Sequence, residues 1–140
     1  MEHTAIKIEF DNLEKIIPLM LTIYGNVPSK NSSRQLIWNK RTGRPMIISS
    51  KETIQYEKDF AIQIRKEYKN RFSKDDRLEI KIDWYASNYR SDIDNIPKVI
   101  LDCLQKNEVI YNDNKIDKLV IQRYLDKDNP RVEIIIKIIN

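Results

Sequence analysis

The sequence predicts an α+β fold in which a mixed β-sheet packs against two main helices. Apolar and polar residues alternate from Leu78 to Ala86, which is typical of a strand with one buried face. Between Ile96 and Leu104, apolar residues recur at helical spacing. The chain has 140 residues, so we expect a single domain, with residues 1–15 as a loosely ordered N-terminal extension.

The N-terminal third predicts one strand and one hairpin. Leu19 to Tyr24 is an apolar run that ends at a Gly-Asn pair, as expected of a buried strand. Two short apolar runs, 36–38 and 46–48, flank a polar turn that contains Gly43. This arrangement predicts a ragged hairpin with a mobile tip.

Two helices are predicted from caps and spacing. Ser49 and Glu52 have the spacing of a capping box, from which a helix is expected to run to about Tyr68. Its predicted inner side carries Ile54, Ala61, Ile64 and Tyr68. The second helix is predicted over 95–106, capped by Asp94 or Asn95, with Cys103 as a buried small hydrophobe within its apolar stripe.

The strands of the second half follow from the same periodicity. Leu78 to Ala86 is the clearest strand, and we expect Trp84 to lie in the core because it continues the apolar face. Val109 to Tyr111 is a short strand or turn. The runs 119–125 and 131–139 predict a terminal hairpin, with the Ile134–Ile136 run in a central or dimer-covered strand, since an open apolar edge invites aggregation.

The composition excludes several chemistries. One cysteine and one histidine argue against disulfides, Cys-rich zinc cages and histidine-based catalytic triads. Two glycines exclude Gly-rich phosphate loops, so no nucleotide cofactor is expected. The longest apolar run, 16–24, is far shorter than the roughly 20 residues of a membrane span, and no secretory signal is recognised. We therefore expect a cytoplasmic protein that does not bind membranes.

A basic segment extends from Pro28 to Lys51, with six basic residues and no acidic one. Polar and aromatic neighbours, including Trp38, can bond phosphates or stack on a base. A nucleic-acid surface and a solvated loop explain this stretch equally well. The candidate nucleic-acid contacts are Lys30, Asn31, Arg34, Lys40, Arg41 and Arg44.

The segment richest in chemistry contains Asp92, Asp94 and Lys98 and is followed by Asp113. On an extended chain, carboxylates at i and i+2 point to the same side. Lys98 falls on the same helix flank as Asp94, away from the apolar stripe, and a returning chain can bring Asp113 beside the helix start. Three carboxylates without histidine are oxygen ligands suited to Mg²⁺, with Mn²⁺ as an alternative, but an Asp-x-Asp-Asn before a helix is also a common N-cap.

Read as a whole, the block from Asp92 to Leu104 and then Val109 to Ile116 resembles the RusA family of Holliday-junction resolvases. The pattern is Asp-x-Asp-Asn-x-x-Lys-x-x-x-Asp-x-Leu, an apolar-aromatic pair and a later aspartate. Residues 28–31 and 43–49 also resemble the opening strand and hairpin of that family, and the resemblance covers about residues 18–138.

The resemblance implies a small homodimeric endonuclease, common in bacteria and prophages, that uses Mg²⁺ to cut paired strands of four-way DNA junctions. By matched position, it implies that Asp92, Asp94 and Asp113 are the metal-binding catalytic carboxylates and Lys98 the catalytic lysine. The basic hairpin would then contact DNA. Apart from the resemblance, the cations Arg34, Lys40 and Arg41 that flank the strand of Trp38 indicate a stacking or wedge role for this residue at a junction.

The sequence departs from the pattern at Asn112, where many members have an aspartate, and at Pro97, which has no backbone N–H. The role of Asp102 stays open between an i,i+4 pair with Lys98 and a metal ligand. Two other functions also remain open. One is a catalytically weak or inactive module that binds branched DNA, and the other is a hydrolase of RNA or nucleotides.

Overall fold

A four-stranded sheet forms the centre of the computed structural model, which describes residues 17–28 and 34–139. Its strands are β1 (Leu19–Tyr24), β4 (Leu78–Ala86), β5 (Ile116–Leu125) and β6 (Arg131–Ile138), and they lie in the order β1-β6-β4-β5. β6 is antiparallel to both β1 and β4, whereas β5 is parallel to β4. The predicted mixed sheet and α+β class are confirmed. The extension predicted for residues 1–15 lies outside the described residues.

The core lies on one face of this sheet, where alternate residues of the central strands are buried. Every second residue of β4, including Trp84, faces the core, as do Val132, Ile134 and Ile136 of β6. The isoleucine run was predicted in a central or dimer-covered strand, and the first alternative is confirmed, because β6 lies between β1 and β4. The predicted β5–β6 hairpin is wrong, because β4 lies between these two strands and pairs with both.

Helix α1 (Lys51–Gln63) packs its buried side chains, Thr53, Tyr56 and Phe60, against the core. Its cap is Ser50, whose Oγ accepts a hydrogen bond from the Thr53 backbone N–H at 3.2 Å. The predicted cap at Ser49 is wrong, since that residue ends a strand. The predicted inner side is wrong for Ile54 and Ala61, which are exposed, whereas Ile64 and Tyr68 pack against the core from beyond the end of the helix at Gln63.

The Gln63 side chain fixes that end of α1 to the sheet. Its Oε1 accepts a hydrogen bond from the Tyr24 backbone N–H at 2.7 Å, and its Nε2 donates one to the Tyr24 carbonyl at 3.1 Å. A short 3₁₀ helix, Lys66–Tyr68, follows where the sequence had predicted the last turn of the α-helix. The chain leaves the helical path because Ile64 adopts an extended conformation.

Helix α2 (Pro97–Lys106) is shorter than predicted at its N-terminus. A separate 3₁₀ helix, Ile93–Asn95, precedes it, and Ile96 occupies the cap position without a side-chain cap, so the predicted caps are wrong. The predicted stripe is confirmed, since all five of its residues, Ile96, Val99, Ile100, Cys103 and Leu104, are buried. Burial raises the pKa of the Cys103 thiol to about 12, as expected of a core residue.

Strands β2 (Arg34–Asn39) and β3 (Arg44–Ser49) form a separate two-stranded sheet, which confirms the predicted hairpin and extends both of its strands. The Asn39 Oδ1 accepts a hydrogen bond from the Arg41 backbone N–H at 2.9 Å, and Gly43 closes the turn with φ of +66°. That left-handed conformation favours glycine. In the described part of the chain, no helix is long and apolar enough to cross a membrane.

The packing of α1 predicts a clear contrast between two of its residues. Phe60 is fully buried, and Phe60→Ala should lower the free energy of unfolding by about 3–5 kcal/mol because it leaves a cavity. Ile62, 82 % exposed on the same helix, is the matched control, and Ile62→Ala should change stability by no more than about 0.5 kcal/mol. Urea denaturation measures both. Equal effects would mean that a different face of α1 is buried.

Candidate active site

The crossover between β4 and β5 carries Asp92, Asp94, Lys98 and Asp113. Parallel neighbouring strands cannot be joined by a tight turn, so residues 87–115 cross the sheet as a loop, a 3₁₀ helix, α2 and a second 3₁₀ helix, Asp113–Lys115. Burial of the apolar stripe sets the rotation of α2. Lys98 is consequently exposed on the solvent side, as predicted.

Lys98 joins two carboxylates on this exposed flank. Its Nζ lies 3.0 Å from Asp102 Oδ1 and 3.6 Å from Asp113 Oδ2. The first contact is the i,i+4 pair, one of the two roles left open for Asp102, and the second confirms that the chain returns Asp113 to the beginning of α2. Exposed ion pairs contribute little to stability, so the main effect of these contacts is to position the groups.

The two partners also act on the protonation of Lys98. A hydrogen bond with Asp102 is the largest cause that raises the pKa of Lys98 above its ordinary 10.5, and the charge of Asp113 adds to the effect. At neutral pH the side chain is therefore an ammonium ion held between two carboxylates. Such a group can donate hydrogen bonds to an anionic oxygen.

Asp92 and Asp94 are positioned differently from the prediction. Asp92 is extended, but Asp94 lies within the 3₁₀ helix, so the expected extended i, i+2 arrangement is wrong. Both residues are exposed. Among the described residues, neither carboxylate has an ion pair or a side-chain hydrogen-bond partner. They remain open to a partner from solution.

The acidic side chains do not form a closed metal centre. Within 17–28 and 34–139, no group of three or more His, Cys, Asp or Glu side chains is arranged to hold an ion. Of the three carboxylates predicted to converge, only Asp113 contacts another residue of the predicted site, and that residue is Lys98. The assignment of Asp92, Asp94 and Asp113 as metal ligands stays a prediction.

Arg123, in β5, holds the loop that leads to Asp92, and the sequence analysis missed it. Its Nη1 donates a hydrogen bond to the Ser91 carbonyl at 2.5 Å, and its guanidinium lies 5.3 Å from the ring centroids of both Trp84 and Tyr89. Cation–π contacts of this kind favour arginine over lysine. No local pattern indicates this role, because it depends on the parallel register that places residue 123 beside residue 84.

Arg77 holds the segment that contains Asp113, as Arg123 holds the loop that leads to Asp92. Its Nη2 donates to the Asn114 carbonyl at 2.9 Å, and its Nε donates to Asp117 Oδ2 at 3.0 Å. The hydrogen bonds from Arg77 also lower the pKa of the Asp117 carboxyl. These contacts fasten the 3₁₀ helix that begins at Asp113 to the start of β4.

The two departures from the family pattern have structural roles here. The Asn112 side-chain oxygen accepts a hydrogen bond from the Asn114 backbone N–H at 3.0 Å and caps the short helix. An amide serves this purpose as well as a carboxylate. Pro97 is the first residue of α2, where a missing N–H leaves no hydrogen bond unmade.

The predicted nucleic-acid contacts are only partly described. Lys40, Arg41 and Arg44 are exposed at the end of the β2–β3 hairpin. Lys30 and Asn31 lie outside the described residues, and Arg34 is the first residue of β2. The hairpin therefore presents three cations at its turn.

A family model described as "Endodeoxyribonuclease RusA" matches residues 26–137. The match includes the hairpin, both aspartate segments and Lys98, and it covers most of the chain. No curated protein matches the sequence significantly.

The contacts of Arg123 predict that this residue orders the loop before Asp92. In Arg123→Ala, amide hydrogen exchange of residues 89–95 should become about tenfold faster, since a hydrogen bond and two cation–π contacts are lost. Arg131→Ala is the matched control, because Arg131 stacks on Tyr85 at 3.8 Å on the opposite face of β4. Unchanged exchange of residues 89–95 in Arg123→Ala would show that another contact orders the loop.

The raised pKa of Lys98 predicts a pH dependence that can be assigned to its partners. The ion pairs make their small contribution to stability below the unfolded pKa of 10.5, and this contribution disappears as the pH rises through the higher folded pKa. An NMR titration of the Lys98 Cε resonance measures the shift. Asp102→Asn should lower the pKa of Lys98 more than Asp113→Asn does, and the reverse order would contradict the geometry.

Proposed function

Because the chain belongs to the endodeoxyribonuclease RusA family, we propose that it is a Mg²⁺-dependent endonuclease that resolves Holliday junctions in DNA recombination and repair. Its reaction would be the paired hydrolysis of phosphodiester bonds at a four-way junction. Family membership supports the general nuclease activity. The junction selectivity, the metal and the biological process are the proposed part.

The observation that carries the proposal is the set of exposed charges along α2. A protonated lysine lies between Asp102 and Asp113, and Asp92 and Asp94 come directly before the same helix. Structural carboxylates usually have partners, whereas two of these have none among the described residues. Open carboxylates beside an ordered cation suit the binding of an ion together with a phosphate.

The chemistry of this donor set fits Mg²⁺, although the carboxylates do not enclose a site. Mg²⁺ is usually held by one or two carboxylates, several waters and substrate phosphates rather than by a complete protein cage. An open arrangement therefore fits a site that the DNA completes. We propose Asp92, Asp94 and Asp113 as the ligands, and a bound ion would supply Lewis-acid activation of water and phosphate.

The roles of the protein groups follow from their contacts. Asp102 holds the Lys98 ammonium by a 3.0 Å contact and keeps it protonated. Lys98 is then able to donate hydrogen bonds to a phosphate oxygen as negative charge develops there. Arg123 and Arg77 hold the two aspartate segments by bonds to backbone carbonyls, so these segments do not have to be ordered when DNA binds.

We also propose that the active form is a homodimer. Paired incision of a four-way junction needs two active sites, and one chain carries one crossover with these residues. A two-fold axis relating two chains matches the approximate symmetry of the junction. The cations at the hairpin turn, Lys40, Arg41 and Arg44, would contact the phosphates of the arms.

A second candidate function is a module of the same fold that binds branched DNA without cutting it. It is favoured by the lack of a closed acidic cluster among the described residues and by Asn112, which has a capping role. In this case the aspartates would serve only local structure. The two candidates differ in turnover and in the effect of Mg²⁺.

Substitution of single carboxylates separates the candidates. Asp94→Asn and Asp113→Asn should reduce Mg²⁺-dependent cleavage of a labelled synthetic four-way junction by at least about 10²-fold, with binding retained in EDTA. Asp75→Asn, an equal charge change at an exposed loop position, should cleave at the wild-type rate.

Gel analysis of the products against Mg²⁺ concentration measures these effects. Wild-type protein that binds the junction but never cuts it would favour the binding module. Wild-type cleavage by both aspartate variants would contradict the assigned residues.

A further inference from the structure

The β2–β3 hairpin has an apolar face that nothing in the described structure covers. The register pairs Leu36 with Ile47 and Trp38 with Pro45, so these four side chains share one face. Leu36 is 72 %, Ile47 65 % and Trp38 64 % exposed. We refer to these four residues as the hairpin apolar face.

An exposed apolar face of this kind is typical of an interaction surface. An isolated two-stranded hairpin is at best marginally stable in water, and this one pairs with no strand of the main sheet. A contiguous apolar patch of large side chains commonly marks an interaction site. The other face of the hairpin contains Ile37 and Met46, which are less exposed.

The charge of the hairpin indicates the chemistry of the partner. Lys40, Arg41 and Arg44 are exposed at the turn, and the whole segment from residue 28 to residue 51 contains no acidic residue. A polyanion complements this distribution. The partner must therefore combine dense negative charge with exposed apolar surface.

Branched DNA has both properties. In a continuous duplex the flat faces of the bases are stacked against one another, whereas an opened branch point exposes them. Apolar side chains are known to enter such base steps as wedges, and tryptophan stacks on any base. Phosphates flank every step and provide the negative charge.

We infer that the hairpin apolar face is a branch-point wedge, in which Trp38 stacks on an exposed base pair while Leu36 and Ile47 cover its neighbour. The inference rests on the proposed function, because it needs a branched DNA substrate. The turn cations would bind any DNA, and the hairpin apolar face would provide the preference for a branch over a continuous duplex.

The turn keeps the two parts of the hairpin in a fixed relation. The Asn39 side chain accepts a hydrogen bond from Arg41, and the Gly43 backbone N–H donates to the Asn39 carbonyl at 2.9 Å. Lys40 lies two residues after Trp38, a spacing of roughly 7 Å on an extended chain, and Arg44 begins β3 opposite Asn39. The spacing of Lys40 from Trp38 is close to the distance between adjacent phosphates on one strand, so phosphate and base contacts can form together.

The test measures binding in EDTA, which makes it independent of cleavage. A four-way junction with 2-aminopurine at the branch point, and a duplex with the same label, are titrated with each protein. Wild-type protein should raise the junction signal and prefer the junction to the duplex. Trp38→Ala should lower junction affinity by about tenfold, abolish most of the fluorescence rise and leave duplex affinity unchanged.

Two matched variants complete the experiment. Met46→Ala, on the other face of the hairpin, should behave as wild type, and Lys40→Ala should weaken junction and duplex binding alike. The inference is overturned if Trp38→Ala keeps the wild-type fluorescence rise and junction preference. It is also overturned if sedimentation shows that Trp38→Ala turns a dimer into a monomer, because the face would then join two copies of the chain.

The wedge and the proposed nuclease function can each fail without the other, and the results distinguish the two cases. A protein that never cuts junctions, but loses branch preference in Trp38→Ala, would disprove the nuclease and retain the wedge. A protein that cuts junctions, and whose Trp38→Ala variant keeps the wild-type branch preference in EDTA, would retain the nuclease and disprove the wedge.

Discussion

The parallel pairing of β4 with β5 is the constraint on which the rest of the molecule depends. Parallel strands require a long connection, and in this chain that connection supplies α2 and both aspartate segments. The apolar stripe of α2 faces the sheet, so its polar flank has to face solvent. The parallel pairing of β4 with β5 thus determines where the charged residues of the crossover lie and that they face solvent.

The two arginines that bind backbone carbonyls contribute more to arrangement than to stability. Arg123 reaches Ser91 from β5, and Arg77 reaches Asn114 from the start of β4. Each therefore links a rigid strand to the short segment that bears an aspartate. Partly exposed polar contacts have small net energies, but an ordered backbone carbonyl fixes the position of the residue next to it.

Much of the fold could be predicted, because the patterns concerned are local. The alternation in β4 and the stripe of α2 are each set by neighbouring residues, and both were predicted correctly. The pairing of β5 and β6 was not, because adjacent strands in sequence were assumed to be adjacent in the sheet. In the candidate site too, contacts set by local spacing were predicted and contacts set by strand pairing were not. The Lys98–Asp102 pair follows from helical spacing, whereas Arg123 acts through a register that no short segment encodes.

The burial of Cys103 has a practical consequence for work on this protein. Burial raises the pKa of the thiol to about 12, so little of the reactive thiolate is present at pH 7, and the side chain is only 1 % exposed, with Tyr56 and Glu57 of α1 among its neighbours. Alkylating reagents and oxidants therefore reach it only when the core around α2 opens. The single cysteine is a built-in reporter of that opening, and its labelling rate follows the helix that carries Lys98 without any added probe.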